Sequence, residues 1–187
     1  MPTPITSDPY DILLAHNLWG TREILKLARK LSPEQFVRPF PIGPAEKGGL
    51  HGILAHVVGA MGRWSDRIAG RPPRPPLAPA WTGYSGPMDE RGKTADELDA
   101  LLQINHDDLA ALAPSIRKDP GRLVHLDFGG EPHTFTASCA YIHVLTHGHY
   151  HHAQCVNILR QFAIPGVSDA LPELDVTDWQ ATSDMRN

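Results

Sequence analysis

Residues 140–155 read Ala140-Tyr-Ile-His-Val-Leu-Thr-His-Gly-His-Tyr-His-His-Ala-Gln-Cys155. Five of the chain's eleven histidines fall within ten residues here: His143, His147, His149, His151 and His152. No proline interrupts the run, and Gly148 is its only glycine. Apolar residues continue every three to four positions through Val156, Ile158, Leu159 and Phe162. That period predicts one long helix. At about 100° per residue, Val144, Cys155, Ile158, Leu159 and Phe162 gather on one face. His147 and His151 fall inside that apolar arc, about 40° apart around the axis and about 6 Å apart along it. His149 points the other way, His152 lies on a flank, and His143 sits at the edge beside His147. A buried imidazole needs partners for both ring nitrogens, and two side by side double the demand. A shared cation satisfies two acceptors at once, and the i, i+4 spacing suits it. The competing readings are a hydrogen-bonded polar layer, or a surface cluster that binds metal adventitiously.

Outward from this helix, three more long helices are legible. Asp8-Pro9 opens the first, with Asp8 as N-cap, and Ile12, Leu13, His16, Trp19, Ile24 and Leu27 carry it to about Lys30. Ser32-Pro-Glu-Gln35 is a capping box for a short turn, and the stretch Pro39–Gly49 is a loop. The second long helix runs from about Gly49 to Ala69 on the stripe Leu50, Ile53, Leu54, Val57, Met61, Trp64 and Ile68. Beside that stripe, Gly49, Gly52, Gly59 and Ala60 surround His56, and small side chains there admit a close neighbouring helix. Thr94-Ala-Asp-Glu97 caps the third, which Pro114 ends. Leu123–Phe128 and His133–Thr136 flank Gly129-Gly130 as a small hairpin, with Pro132 on an edge strand. Leu174, Val176 and Trp179 give the irregular tail a means of docking. The expectation is an all-α fold: one four-helix-bundle domain over residues 1–187, with a small β-hairpin between helices three and four.

Composition excludes several classes. With 41% apolar and 20% charged residues, a net charge of −4 and a pI near 6.2, the chain has no electrostatic footprint for nucleic acid or an anionic membrane. The opening Met-Pro-Thr-Pro-Ile-Thr-Ser-Asp lacks the pattern of a signal peptide, and no run reaches the ~20 apolar residues of a membrane span. A cytoplasmic location is expected. Cys139 and Cys155, on one helix and ~24 Å apart, are beyond disulfide reach and read as reduced and at least partly buried. Gly70–Gly92 holds six prolines with Trp81 and Tyr84. Arg-Pro-Pro-Arg-Pro-Pro resembles a polyproline ligand, but a rigid surface connection is the favoured reading.

A third ligand must come from another helix. His51 and His56 are about 140° apart on theirs, so at most one serves, and His16 is a further candidate. Three imidazoles with an open position describe a catalytic rather than a structural site. Zinc, nickel or ferrous iron all suit the donors. No His-Glu-x-x-His, di-iron Glu-x-x-His, phosphate loop or nucleophile elbow is present.

His147-Gly-His-Tyr-His-His-Ala-Gln154 resembles the last-helix signature of the DinB/YfiT-like family of metal-binding four-helix bundles. Ala15-His-Asn-Leu-Trp-Gly-Thr-Arg-Glu-Ile-Leu25 and Leu54-Ala-His-Val-Val-Gly-Ala60 agree with it, in the right order and on the right helices. The resemblance implies His56, His147 and His151 as ligands of one divalent metal. It departs where many members carry Arg-Gly and this chain has His152-Ala153, and where Gly59 replaces a common acidic residue. The family's better-understood relatives use low-molecular-weight thiols such as bacillithiol or mycothiol for transfer or isomerisation. This implies a small-molecule substrate and a homodimer. A cation held by three imidazoles can lower the pKa of a thiol or of water, giving a thiol S-transferase or a hydrolase. A non-catalytic stress-response metal module is the rival. Gln154 is expected to orient a ligand or the substrate, with Trp81 or Tyr84 packing on the substrate. His143 or His16 would complete a closed four-ligand site.

Overall fold

The computed structural model describes residues 8–41, 49–77, 94–128 and 130–184. Trp81, Tyr84 and the rest of the proline-rich stretch beyond Leu77 lie outside the described residues, as do residues 42–48 and Gly129. Local chemistry starts each helix where the sequence indicates. The Asp8 carboxylate accepts from the Tyr10 and Asp11 amides and opens α1, Pro9–Ala28. Ser32 and Gln35 close a capping box on α2, Pro33–Phe36, and Thr94 and Glu97 close another on α4, Ala95–Ala110. Gly49 begins α3, Gly49–Ile68, at φ 72°, where a Cβ would stand 2.0 Å from the Arg38 carbonyl oxygen. Only glycine fits that start.

Pro114 departs from expectation. It occupies the first turn of α5, Ala113–Lys118, where its missing N–H costs nothing. It therefore starts a short helix besides following α4. A hairpin then leads into α6, Ala137–Gln161. Strands β1, Leu123–Phe128, and β2, Glu131–Thr136, pair antiparallel with Leu123 opposite Thr136 and Phe128 opposite Glu131. Both strands are edges, so Pro132 is tolerated within β2.

The four long helices pack in a ring: α1 on α4 and α6, and α3 on α4 and α6. Their apolar faces meet in a core that includes Ile24, Leu25, Leu50, Leu54, Leu98, Leu102, Leu109, Tyr141 and Leu159. The architecture is a helical bundle carrying a small inserted hairpin. None of the described helices is long and apolar enough to cross a membrane. The tail is more regular than expected. It forms α7, Val176–Asp184, and docks through Trp179, whose ring lies 5.4 Å from His16 and 6.3 Å from Trp19. Cys155 is buried, with its thiol pushed up by burial, whereas Cys139 is exposed, contrary to the expectation that both are covered.

One ion-pair cluster straps the chain after α3 back onto the bundle. Arg74 donates Nε to Asp66 Oδ2 (2.8 Å), one terminal nitrogen to Asp66 Oδ1 (2.8 Å) and Asp108 (2.6 Å), and the other to Asn105 (2.7 Å). Asn105 in turn donates to the Val58 carbonyl. The strap lays Leu77 over α3, where a Cβ on Gly59 would meet Leu77 at 3.1–3.3 Å. The small residue at Gly59 therefore seats this returning segment rather than a neighbouring helix. Burial alone would raise the Asp66 pKa, but the hydrogen bonds and charge of Arg74 outweigh it and hold it below the ordinary value.

Asp66 is only 5% exposed. Arg74→Ala is expected to cost at most about 3 kcal/mol in urea unfolding, the low end for breaking a buried pair, because Arg74 keeps some solvent and Arg71 still lies 3.0 Å from the Asp66 carboxylate. The folded-state pKa of Asp66 lies below the unfolded one, so the pair's contribution is full above about pH 4 and fades as pH falls through the folded pKa. Arg74→Ala should flatten that acid limb of the stability–pH curve.

Candidate metal centre

Three imidazoles meet at the seam between α3 and α6. His56 Nε2 lies 3.0 Å from His147 Nε2, and His151 Nε2 lies 3.1 Å from the same atom. All three nitrogens fall within 4.8 Å of one another, and they form the one such group of metal-capable donors among the described residues. α6 supplies two of them because the i, i+4 spacing stacks the side chains on one face. α3 supplies the third across the seam, and the rings cross at steep angles, 59° for His56–His147 and 76° for His147–His151. His151 is buried, while His56 and His147 are partly exposed, so solvent reaches the cluster from their side.

Tautomers decide how these rings face one another. His151 Nδ1 donates to Gln154 Oε1 at 2.7 Å, because an amide oxygen can only accept. A neutral His151 therefore turns a bare lone pair on Nε2 toward His147. The contact from His147 Nε2 then needs a hydrogen on His147, and one hydrogen cannot serve both His151 and His56 at full strength. With neutral rings, one of the two close N···N contacts lacks a proper proton. A cation facing three lone pairs removes the conflict. Its geometry also suits the observed spacing, since bonds of 2.0–2.1 Å at tetrahedral angles put nitrogens about 3.3 Å apart. The donor set fits a divalent transition metal.

The other histidines are distributed elsewhere. His143 is exposed one turn before His147, with ring centroids 5.4 Å apart and its edge against Trp64 at 5.0 Å. His51 packs at right angles on Phe36. His16 is buried on the α1 side of α6, between Trp19, His149 and Trp179. Burial and the neighbouring His149 lower its pKa, against the Leu174 backbone and Asp175, which raise it. Among the described residues neither His143 nor His16 adds a fourth converging atom.

His152 is the residue that helix-wheel reasoning undervalued. It is fully buried and donates Nε2–H to the Thr21 hydroxyl at 2.8 Å, while that hydroxyl donates to the Asn17 carbonyl. Gly20 leaves space for the ring, since a Cβ there would stand 2.9 Å from His152 Nδ1. Burial, with the nearby histidines, pushes its pKa down to about 3, so it is a neutral packing residue. The glycine within α1 was the only signal for it. Two adjacent residues of α6 thus face different partners: His151 faces α3 and His152 faces α1.

No curated protein matches the chain. A family model described as the DinB superfamily matches residues 18–155, about three quarters of the sequence, with His56, His147, His151 and Gln154 inside the match. The chain belongs to the DinB superfamily.

Proposed function

We propose that the protein is a metal-dependent enzyme of the thiol-transferase type, with His56, His147 and His151 holding one zinc, nickel or ferrous ion. The convergence of three imidazole nitrogens, all within 4.8 Å of one another on the α3–α6 seam, carries this reading. When bound, such a cation supplies Lewis acidity that lowers the pKa of a low-molecular-weight thiol or of water beside it. The chain's own residues do the rest. His151 is held in one tautomer by Gln154 and is buried, which keeps its ring in place. The partly exposed edges of His56 and His147 leave a side from which a small molecule approaches.

Purified protein is expected to carry about one equivalent of a divalent transition metal. An electrophilic acceptor should then be consumed with at least one member of a low-molecular-weight thiol panel, and a chelator should abolish the reaction. If every thiol stays at the background rate while an ester is hydrolysed, the centre activates water instead. If metal binds and neither reaction proceeds, the protein is a binding module.

A further inference from the structure

Helix α7 closes over a histidine that lies outside the metal centre. His16 is 2% exposed, and its ring lies 5.5 Å from Trp19 on its own helix, 5.8 Å from His149 on α6 and 5.4 Å from Trp179 on α7. Its Nε2 is buried and meets no hydrogen-bonding group of the protein. A neutral ring can leave one nitrogen as a bare lone pair, but a charged ring carries a proton on both. Protonation in place therefore buries a charge together with an N–H that has no protein acceptor. The attraction of the two indoles for a cation offsets only part of that desolvation.

Titratable groups face His16 from both elements packed against it. From α6 come His149 and His152, and a positive charge on His149 opposes one on His16. His152 is held neutral by its own burial. From the tail come the Leu174 backbone and Asp175, which favour the charged form. Asp175 is exposed, however, and its carboxylate already accepts from the Thr177 and Asp178 amides at the start of α7. Burial prevails, and His16 is held below its ordinary value of 6.5 while the tail is in place. Lifting α7 takes Trp179 off the ring, opens it to water and restores that ordinary value.

We infer that His16 is an acid-sensitive latch, with α7 docked on α1 while the ring is neutral and lifting away when the ring takes a proton. The undocked state binds the proton more tightly, so docking is full above about pH 6.5 and weakens as pH falls toward the docked-state value. Within that window the docking constant changes by up to about tenfold per pH unit. The latch lies on the α1 side of α6 and the metal centre on the α3 side, so this inference stands apart from the metal reading.

Hydrogen exchange of the full chain, corrected for its intrinsic pH dependence and read by mass spectrometry, tests the latch. Between about pH 7.5 and about pH 5.5, protection over Val176–Asp184 should fall about 5–10-fold while α3 keeps its own. His16→Phe keeps a ring against the indoles but cannot titrate, so its α7 should stay protected at both pH values. If His16→Phe leaves α7 unprotected throughout, His16→Gln, which keeps a polar group and cannot titrate, decides in its place. His149→Gln should retain the response. Equal protection of native α7 at both pH values, or a native-like loss in the non-titrating variant, overturns the inference. So does loss of the response in His149→Gln, which would assign the switch to His149.

Discussion

His147→Ala is expected to weaken divalent-metal binding by more than ~100-fold, beyond the range for losing an outer-shell partner. His147 is the ring whose Nε2 contacts both of the others, at 3.0 and 3.1 Å, so its removal takes away the vertex that ties α3 to α6. His151→Ala should do the same. A thermal measurement reads the loss directly. A metal at 100 times its dissociation constant stabilises a protein by about 2.7 kcal/mol. At this chain length that corresponds to roughly 5–10 °C in Tm. The native protein should show this shift on adding zinc, and His147→Ala should show almost none while its metal-free Tm stays close to native. An equal zinc-induced shift in both proteins would remove His147 from the ligand set.

The second large effect concerns folding. Gly148 is the slot for Asn17, whose amide nitrogen donates to the Leu145 carbonyl at 2.9 Å across the α1–α6 seam. A Cβ at position 148 would stand 2.1 Å from that nitrogen. Neither helix can yield easily, because Asn17 is only 2% exposed and is packed on both sides. Overpacking a core typically costs 1–3 kcal/mol, and stranding a buried amide a further 1–3. Gly148→Ala is therefore expected to lose about 3 kcal/mol, or roughly 6–12 °C in Tm. Adding Asn17→Ala removes the clash, so the double variant should be less destabilised than the sum of the two single changes. Strict additivity in that cycle would show that the clash is not the cause.

These two expectations drew on different amounts of sequence information. The pairing of His147 and His151 is readable because helix periodicity alone places them on one apolar face. The caps at Asp8, Ser32 and Thr94 are readable because their partners lie within three residues. Other features depend on what lies across a seam, which periodicity does not encode. The wheel puts His152 on a flank, yet Gly20 on another helix makes that flank the interior. His16 looks like a spare ligand until Trp179, more than 160 residues later, is found against it. The Asp66–Arg74 strap depends on a chain reversal that the prolines announce without specifying its path. His56 is an intermediate case. The sequence offers both His56 and His51 on one helix, and family resemblance rather than spacing separates them.

The placement of His151 and His152 back to back gives α6 the character of a party wall. One of its sides carries chemistry and the other carries anchorage, with a single peptide bond between the two duties. A change of metal or ligand on the α3 side leaves the hold on α1 in place, because Asn17, Thr21 and His152 keep the wall from turning. A one-residue insertion ahead of His147 would rotate the paired histidines out of the α3 seam. The register of this helix is therefore as much a part of the centre as its imidazoles.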